Sequence, residues 1–222
     1  MELGHGKVLV LDKILYNKIG DLYMKKIIVG MFGKAGSGKD TVADYICDKY
    51  NFVRMALADP LKESIKHMFC LDDYTVYNRK AREEPLPDFP EWSVRKLFQF
   101  IGTDLMRKQF DDAFWAKLLN KRIIKSQHPR IIVTDVRFPN EADYLYALSL
   151  EQKYSVSCIK VVRDGCVGHD VGIINHESEK YDLPSDYVIE NNDTFEVLYD
   201  EVDQVMYKIF GDYKLDIQGG LI

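Results

Sequence analysis

Short apolar runs alternate along this chain with stretches in which apolar residues recur every three or four positions. The first pattern predicts buried β-strands, and the second predicts amphipathic helices. The apolar runs lie near residues 27–32, 52–56, 130–134, 156–162 and 187–190. Strands that alternate with helices favour a parallel sheet covered on both faces. We therefore expect an α/β fold with a central parallel sheet of about five strands.

The helical pattern is clearest from Ser93 onwards and again from Phe195, where apolar stripes begin. Asp59 followed by Pro60 predicts another helix start, with Asp59 as the N-cap and proline at the first helical position. Residues 70–92 are rich in charge, proline and tyrosine and have no clean period. This composition predicts a surface excursion or a flexible flap.

A glycine-rich turn joins the first predicted strand to the first predicted helix. It reads Gly-Lys-Ala-Gly-Ser-Gly-Lys-Asp-Thr over residues 33–41. Such a turn lets backbone N–H groups converge on phosphate oxygens at the positive end of a helix, and its lysine adds a full charge. The general pattern has Ser or Thr after that lysine, where this chain has Asp40. The predicted nucleotide-phosphate site consists of Gly33, Ala35, Gly36, Ser37, Gly38, Lys39, Asp40 and Thr41.

Charged residues follow the ends of several predicted strands. Asp135 ends the third strand, and an acid at that place beside a phosphate loop organises Mg²⁺ directly or through water. Arg137 comes two residues later, and Arg163 follows the fourth strand. Ligands of open α/β sheets collect at the carboxyl ends of the strands. We therefore expect the glycine-rich turn, Asp59, Asp135, Arg137 and Arg163 to surround one crevice.

Four polar residues recur every four positions on the helix that starts at Ser93, which places them on one side of it. These residues are Arg95, Gln99, Thr103 and Arg107. Such a ridge is either a binding surface or an ordinary solvated face. The spacing alone does not separate these two interpretations.

Composition narrows the functional classes. The chain has 222 residues, 46% of them hydrophobic, and a net charge of −5. These values are typical of a globular protein and argue against a long nucleic-acid groove. Four cysteines without a C-x-x-C pair predict free thiols in a reducing cytosol, and neither a membrane-spanning run nor a signal peptide is evident. Cys166, His169 and His176 fit no common zinc spacing, so we expect no zinc there.

Several longer motifs occur together in a fixed order. They are Ala-Asp-Pro-Leu-Lys (58–62), Gln-Phe-Ile-Gly-Thr (99–103) with Arg107 and Trp115, Thr-Asp-Val-Arg-Phe-Pro-Asn-Glu (134–141), and His-x-Ser-Glu (176–179). Together with the glycine-rich turn, the chain from about residue 25 to 210 resembles the bacteriophage-type deoxynucleoside monophosphate kinases. The loop of that family commonly reads G-K-D-T, so Asp40 departs from the general pattern but not from the family's.

The resemblance implies a P-loop NTPase three-layer sandwich that phosphorylates a deoxynucleoside monophosphate with ATP and Mg²⁺. It implies a single kinase domain over residues 24–222, with a helical substrate-binding region at about 58–126 and a lid at about 163–180. We recognise no counterpart of residues 1–23 in the family and expect an appendage of unknown role, which is either an added element or a consequence of start-codon choice. The expected partners are small molecules in the host cytoplasm, with no nucleic-acid polymer or membrane, and a homodimer is left open.

The resemblance also implies roles for individual residues. Lys39, Arg137 and Arg163 are the expected catalytic residues, and Asp40 and Asp135 are the expected metal ligands. The expected substrate-binding residues are Asp59, Lys62, Gln99, Thr103, Arg107, Trp115 and Arg137. For Trp115, core packing is the alternative to stacking on the base, and His176 and Glu179 have no assigned contact.

Two alternatives to this function stay open. A kinase for another small phosphorylated metabolite would keep the loop and the lid but lack a base pocket. A non-catalytic nucleotide-binding module would bind ATP without passing its phosphate to an acceptor. The intact Lys39 and the set of arginines argue against the second alternative.

Overall fold

The computed structural model describes residues 25–151, 153–166 and 183–219. The first part of the chain contains β1 (Lys26–Phe32), α1 (Lys39–Tyr50), β2 (Val53–Met55), α2 (Asp59–Met68), α3 (Asp73–Tyr77), a 3₁₀ turn (Ala81–Glu83), β3 (Pro85–Leu86) and β4 (Phe89–Ser93). The remainder contains α4 (Val94–Gln99), a π-helix (Phe100–Phe110), α5 (Phe114–Lys125), β5 (Arg130–Val133), α6 (Pro139–Ser149), β6 (Tyr154–Val162), β7 (Tyr187–Glu190) and α7 (Phe195–Gly219).

The main sheet has five strands in the order β2-β5-β1-β6-β7, all parallel. The central strand is β1, in which Ile28 lies beside Ile131 of β5 and Val156 of β6. Side chains on both faces of β1 are shielded from solvent, and Ile28, Val29 and Met31 are fully buried. A strand covered on both faces needs a continuous apolar run. The predicted parallel sheet of about five strands is confirmed.

Helices cover both faces of this sheet and form two separate cores. The face that carries Val29 and Met31 packs against α1 and α7. The opposite face, which carries Ile28 and Ile131, packs against α5 and α6. The expected three-layer sandwich is therefore confirmed.

A third, smaller core lies in the segment between β2 and β5. Its buried members are Leu61, Ile65, Leu86, Val94 and Leu97. The segment at residues 70–92 is mostly exposed, as the predicted surface excursion requires, but it contains α3, the 3₁₀ turn and the β3-β4 hairpin. These elements are too short to show a period in sequence. Local contacts hold them, such as the Asp72 carboxylate that accepts the Thr75 amide at the start of α3.

Two helix starts differ in how well the sequence predicted them. Ser93 caps α4 as its position indicates, since its hydroxyl accepts the Lys96 amide at 3.3 Å. The N-cap role of Asp59 is wrong, because α2 already begins at Asp59 and Ala58 precedes it. The Asp59 carboxylate turns back instead and accepts the Ala56 amide at 2.8 Å.

The helix that starts after Ser93 changes its hydrogen bonding at Phe100, where the π-helix begins. The wider i→i+5 turn alters which side chains face inwards. Val94 and Leu97 are buried as predicted, but Leu105 is exposed. Gly102 lies where the π-helix meets α2, and a Cβ there would come within 2.6 Å of Leu61 Cδ2. The absence of a side chain at Gly102 thus permits the close approach of these two helices.

Several expectations concern parts of the chain that the structure does not describe. The proposed appendage at residues 1–23 lies outside the described residues, as does the expected lid beyond Cys166, with His169, His176 and Glu179. Within the described ranges, every helix is too short or too polar to cross a lipid bilayer.

Candidate active site

The phosphate loop, residues 33–41, packs tightly against the carboxyl ends of β6 and β7. Gly33 and Gly38 have φ angles of 148° and 94°. A Cβ at Gly33 would lie 2.2 Å from the Val161 carbonyl oxygen, and one at Gly38 would lie 2.1 Å from Asn191 Nδ2. Both the backbone conformation and the available space therefore require glycine at these two positions. The loop is held in one place at the edge of the sheet.

Lys39 lies back across this loop at the first position of α1. Its Nζ donates hydrogen bonds to the carbonyl oxygens of Gly33 and Lys34, at 2.7 and 2.9 Å. The N-terminal end of α1 carries the positive end of the helix dipole and N–H groups that lack a partner within the helix. The ammonium charge and the helix end thus meet at the phosphate loop. This is an arrangement suited to binding the phosphates of a nucleotide.

Asn191 holds the loop from the end of β7, and the sequence reasoning missed it. Its Nδ2 donates to the Ser37 carbonyl at 2.9 Å, and its backbone N–H donates to the Val162 carbonyl at 2.8 Å. Asn191 therefore connects the loop to both β6 and β7. The available signal was a polar residue directly after a short buried strand, at the edge where ligands bind.

Asp40 pairs with Arg54 of β2. The Arg54 guanidinium donates to the carboxylates of Asp40 and Asp44, and its Nε donates to the Thr134 hydroxyl at 3.1 Å. The Asp40 side chain is 78% exposed, so it is open to water as well as to Arg54. Arg54 thus links the start of α1, including Asp40, to the residue after β5. Its predicted role at Mg²⁺ stays a prediction.

Asp135 joins the end of β5 to the turn after β2. Its two carboxylate oxygens accept the backbone N–H groups of Leu57 and Ala58, at 2.7 and 2.9 Å. Burial raises the pKa of Asp135, while these two hydrogen bonds and the charges of Arg137 and Lys62 lower it. Asp135 therefore has a structural role that the sequence did not reveal, and its role at the metal stays a prediction.

The expected crevice residues follow the carboxyl ends of strands of the sheet or lie shortly after them. Residues 134–138, here called the Arg137 turn, follow β5, and Arg163 follows β6. Because β1 lies between β5 and β6, the phosphate loop lies between the Arg137 turn and Arg163. The side chains of Arg137 and Arg163 are both exposed, and Lys62 is half-buried. Oδ2 of Asp59, which accepts the Ala56 amide, also accepts a hydrogen bond from Arg122 Nη2 at 3.0 Å.

Arg107 is engaged with the protein itself. Its side chain is only 10% exposed, and Nη1 donates to the buried Glu141 carboxylate at 2.9 Å. Nη2 donates to Asp112 and Asn140, and the guanidinium lies 3.7 Å from the ring centroid of Phe138. A solvated face is therefore the wrong interpretation for Arg107. Its predicted contact with the acceptor phosphate is not tested by these contacts.

The remaining predicted substrate residues lie in the helical region. Gln99 and Thr103 are half-buried, while Arg95 on the same predicted ridge pairs with Glu83 at 2.8 Å. Trp115 packs against two of the three cores. Its Nε1 donates to the Gly102 carbonyl at 2.8 Å, so its indole N–H already has a partner inside the protein. These contacts give Trp115 the packing role that was the alternative to stacking on a base.

A bound Mg²⁺ ion would take few of its ligands from protein side chains. Among the described residues, no group of three or more His, Cys, Asp or Glu side chains is arranged to hold a metal ion. Mg²⁺ in phosphoryl-transfer enzymes commonly takes one or two carboxylates, several waters and the substrate phosphates. The exposed carboxylate of Asp40, at the mouth of the phosphate loop, fits that mode of binding.

A parallel sheet with a glycine-rich loop between the central strand and its helix defines the class of P-loop nucleotide-binding proteins. The family model for deoxynucleotide monophosphate kinase matches residues 26–85 and 75–202. The chain belongs to the deoxynucleotide monophosphate kinase family, which confirms the resemblance found in the sequence. As a member of a kinase family, it uses ATP and acts on small molecules.

The relatives come from viruses of different hosts. A candidate deoxynucleotide monophosphate kinase of Acanthamoeba polyphaga mimivirus is 33% identical over 196 residues, which cover 79% of this chain and 94% of that protein. The deoxynucleotide monophosphate kinase of Enterobacteria phage T4 is 24% identical over 240 residues, with coverage of 79% and 96%. Among solved structures, dephospho-CoA kinase from Campylobacter jejuni has a TM-score of 0.44 at 14% identity, covering 84% of this chain and 98% of that chain.

Proposed function

We propose that this chain transfers the γ-phosphoryl group of ATP to the phosphate of a deoxynucleoside monophosphate, with Mg²⁺ on the phosphates of ATP. The membership of the chain in the deoxynucleotide monophosphate kinase family supports this assignment of the reaction. The observation that carries the proposal is the position of Lys39 and the phosphate loop between the Arg137 turn and Arg163. Donor and acceptor phosphates would meet there, with positive charge on three sides.

On the donor side, the amides of the phosphate loop and Lys39 would hold the β- and γ-phosphates. On binding, the Lys39 ammonium would exchange the Gly33 and Lys34 carbonyls for phosphate oxygens. Asp40 and Thr41 would lie near Mg²⁺, with Asp135 completing its environment through water. Mg²⁺ supplies neutralisation of the negative charge on the phosphates when it is bound.

On the acceptor side, Arg137 would hold the monophosphate, because a guanidinium presents two parallel donors that match phosphate oxygens. Lys62 would add a second cation, since its charge already acts at Asp135 next to Arg137. Arg163 would approach the transferring group from the opposite side of the phosphate loop. Gln99, Thr103 and Asp59 stay predicted contacts for the sugar or the base.

Phosphoryl transfer depends mainly on the alignment of the two substrates and on positive charge around the transferring group. Phosphoryl transfer needs the attacking and leaving oxygens roughly in line, with positive groups around the oxygens of the moving phosphoryl. Lys39 and Arg163 would neutralise charge on the transferring group, and Arg137 would fix the attacking oxygen. Fixed charges of this kind act strongly, because they are oriented before the reaction begins.

A coupled assay with ATP and a panel of deoxy- and ribonucleoside monophosphates tests the proposal. We expect turnover with at least one deoxynucleoside monophosphate, and turnover lowered about 100- to 1000-fold in a folded Lys39→Ala variant. Turnover only with another phosphorylated metabolite would favour the alternative kinase. Tight ATP binding without acceleration by any acceptor would favour the non-catalytic module.

A further inference from the structure

The Arg137 turn is fixed by carboxylates rather than by regular secondary structure. On one side, the Asp135 carboxylate accepts the amides of Leu57 and Ala58. On the other side, Oε2 of Glu141 accepts the backbone N–H groups of Arg137 and Phe138, at 2.8 and 3.1 Å. The backbone that presents the Arg137 side chain therefore depends on the orientation of Glu141.

Burial disfavours the charged form of the Glu141 carboxylate, so that form needs a nearby cation. It is 7% exposed, and burial raises its pKa to about 7, against the lowering effects of the Arg137 and Phe138 amides and of the Arg107 charge. A buried carboxylate that lacks a cation becomes protonated or loses its orientation. The hydrogen bond from Arg107 Nη1 to Glu141 Oε1, at 2.9 Å, supplies that cation.

Arg107 contacts the start of α6 at two further points. Its guanidinium stacks on the ring of Phe138, and Nη2 donates to the Asn140 side chain at 3.2 Å. Phe138, Asn140 and Glu141 all lie at the junction of the Arg137 turn and α6. One buried arginine from the π-helix thus ties the helical region to the turn that carries Arg137.

We propose that Arg107 and Glu141 form a buried positioning pair, which holds the Arg137 turn in the conformation that presents Arg137 to the acceptor phosphate. Arg107 acts through Glu141 and Phe138 and does not itself touch the nucleotide. This inference rests on the proposed function, in which Arg137 binds the acceptor. It assigns Arg107 a role different from the direct phosphate contact that its motif implies.

A double-mutant cycle separates the two roles. The four proteins are the wild type, Arg107→Lys, Glu141→Gln and the double variant, each assayed with ATP and the acceptor varied in turn. We expect each single variant to lower acceptor kcat/KM about tenfold and to leave the KM for ATP within about twofold. The double variant should lose no more than about tenfold, because both substitutions break the same contact. Independent losses that multiply to about a hundredfold would show that Arg107 and Glu141 do not act as one unit, and would overturn the inference.

Lys108→Ala is the matched control, because it removes a cation from the neighbouring position, where Lys108 pairs with the exposed Asp104. It should leave acceptor kcat/KM unchanged. If Arg107→Lys does not fold, Phe138→Leu removes the ring under the guanidinium and keeps an apolar side chain. It should raise acceptor KM but not the KM for ATP. An unchanged acceptor KM in folded Phe138→Leu would contradict the pair's role.

Arg137→Lys distinguishes failure of the inference from failure of the proposed function. If Arg137→Lys lowers acceptor kcat/KM while the pair variants do not, the positioning pair is wrong and the proposed function stands. If Arg137→Lys has no effect on the acceptor, the proposed acceptor site is wrong and the inference that rests on it fails as well.

Discussion

The phosphate loop and the Arg137 turn lie side by side at the same edge of the sheet, but they are built differently. In the phosphate loop, glycines at positive φ and Lys39 of the loop itself set the conformation, and Asn191 is a distant side chain bonded to it. The Arg137 turn has no glycine, and carboxylates hold its backbone: Glu141, three residues beyond it, accepts its amides, and Asp135 within it accepts distant backbone amides. Glu141 is in turn paired with a residue 34 positions away, and Asp135 is bonded to one 78 positions away.

This difference has a functional meaning. Under the proposed function the phosphate loop holds ATP and the Arg137 turn holds the acceptor, and a different set of contacts fixes each of them. We therefore expect substitutions in the two regions to affect different substrates, and the predictions below test that separation.

The largest effect should come from Lys39→Ala. Removing a charge that acts on the transferring phosphates should lower kcat about 100- to 1000-fold. The fold should persist, because the Lys39 side chain lies against the loop and not in a core. Kinetics together with thermal unfolding measure both quantities, with Lys121→Ala on the exposed side of α5 as the control. Wild-type turnover in a folded Lys39→Ala protein would contradict the assignment of Lys39 to the transferring phosphates.

Glu141→Gln should change how stability depends on pH. Burial raises the folded-state pKa of Glu141 to about 7 from its ordinary value of 4.5. Between these values the folded protein holds a proton that the unfolded chain has released, so the contribution of Glu141 is lost as the pH rises. The free energy of unfolding of the wild type should therefore fall relative to Glu141→Gln between pH 5 and 8, by about 3 kcal/mol at most.

Urea unfolding of both proteins at the two pH values measures this change. The neighbouring charged groups, Arg107, Asp135 and Arg137, are common to the two proteins. Because the charge of Asp135 acts on Glu141, the difference measures the coupled titration of these two carboxylates. Parallel pH dependences for the wild type and Glu141→Gln would show that Glu141 keeps an ordinary pKa in the folded state.

Arg137→Lys should weaken the acceptor side alone. Lysine keeps the charge but loses the two-pronged geometry, and one charge-assisted hydrogen bond is worth about 1.5–3 kcal/mol. Acceptor kcat/KM should fall about ten- to hundredfold while the KM for ATP changes little. Steady-state kinetics with each substrate varied in turn measure this directly. Equal changes in the kinetic constants for ATP and for the acceptor would indicate that Arg137 binds ATP instead.

Asn191→Ala should weaken the donor side alone, by a smaller amount. It removes the hydrogen bond to the Ser37 carbonyl and frees space next to Gly38. The loss of one neutral hydrogen bond is worth about 1 kcal/mol, so the KM for ATP should rise about fivefold. An unchanged KM for ATP would mean that the loop holds its shape without Asn191.

Asp40→Asn should give the smallest change. If Asp40 lies near Mg²⁺, the concentration of Mg²⁺ at half-maximal rate should rise. Stability should fall by less than about 1 kcal/mol, because the pair with Arg54 is exposed. A magnesium titration at fixed ATP decides between the two roles of Asp40, since an unchanged requirement would leave Asp40 as a partner of Arg54 only.

The sequence predicted what is encoded locally. A central strand buried on both faces is an unbroken apolar run, so β1 and β5 were recognisable, and the loop after β1 has its own glycine pattern. Glu141 looked like one more acid near a helix start, because nothing near it in sequence indicates Arg107 as its partner. Periodicity likewise could not show that the helix after Ser93 widens at Phe100, which left Leu105 on the outside.

The separation of donor and acceptor is tested most directly by comparing Arg137→Lys with Asn191→Ala in one experiment. Both Michaelis constants are measured for each variant and for the wild type, with the second substrate saturating. The account predicts a crossed pattern, in which Arg137→Lys raises only the acceptor KM and Asn191→Ala raises only the KM for ATP. If both variants raise both constants by the same factor, the two regions do not hold separate substrates, and the account is contradicted.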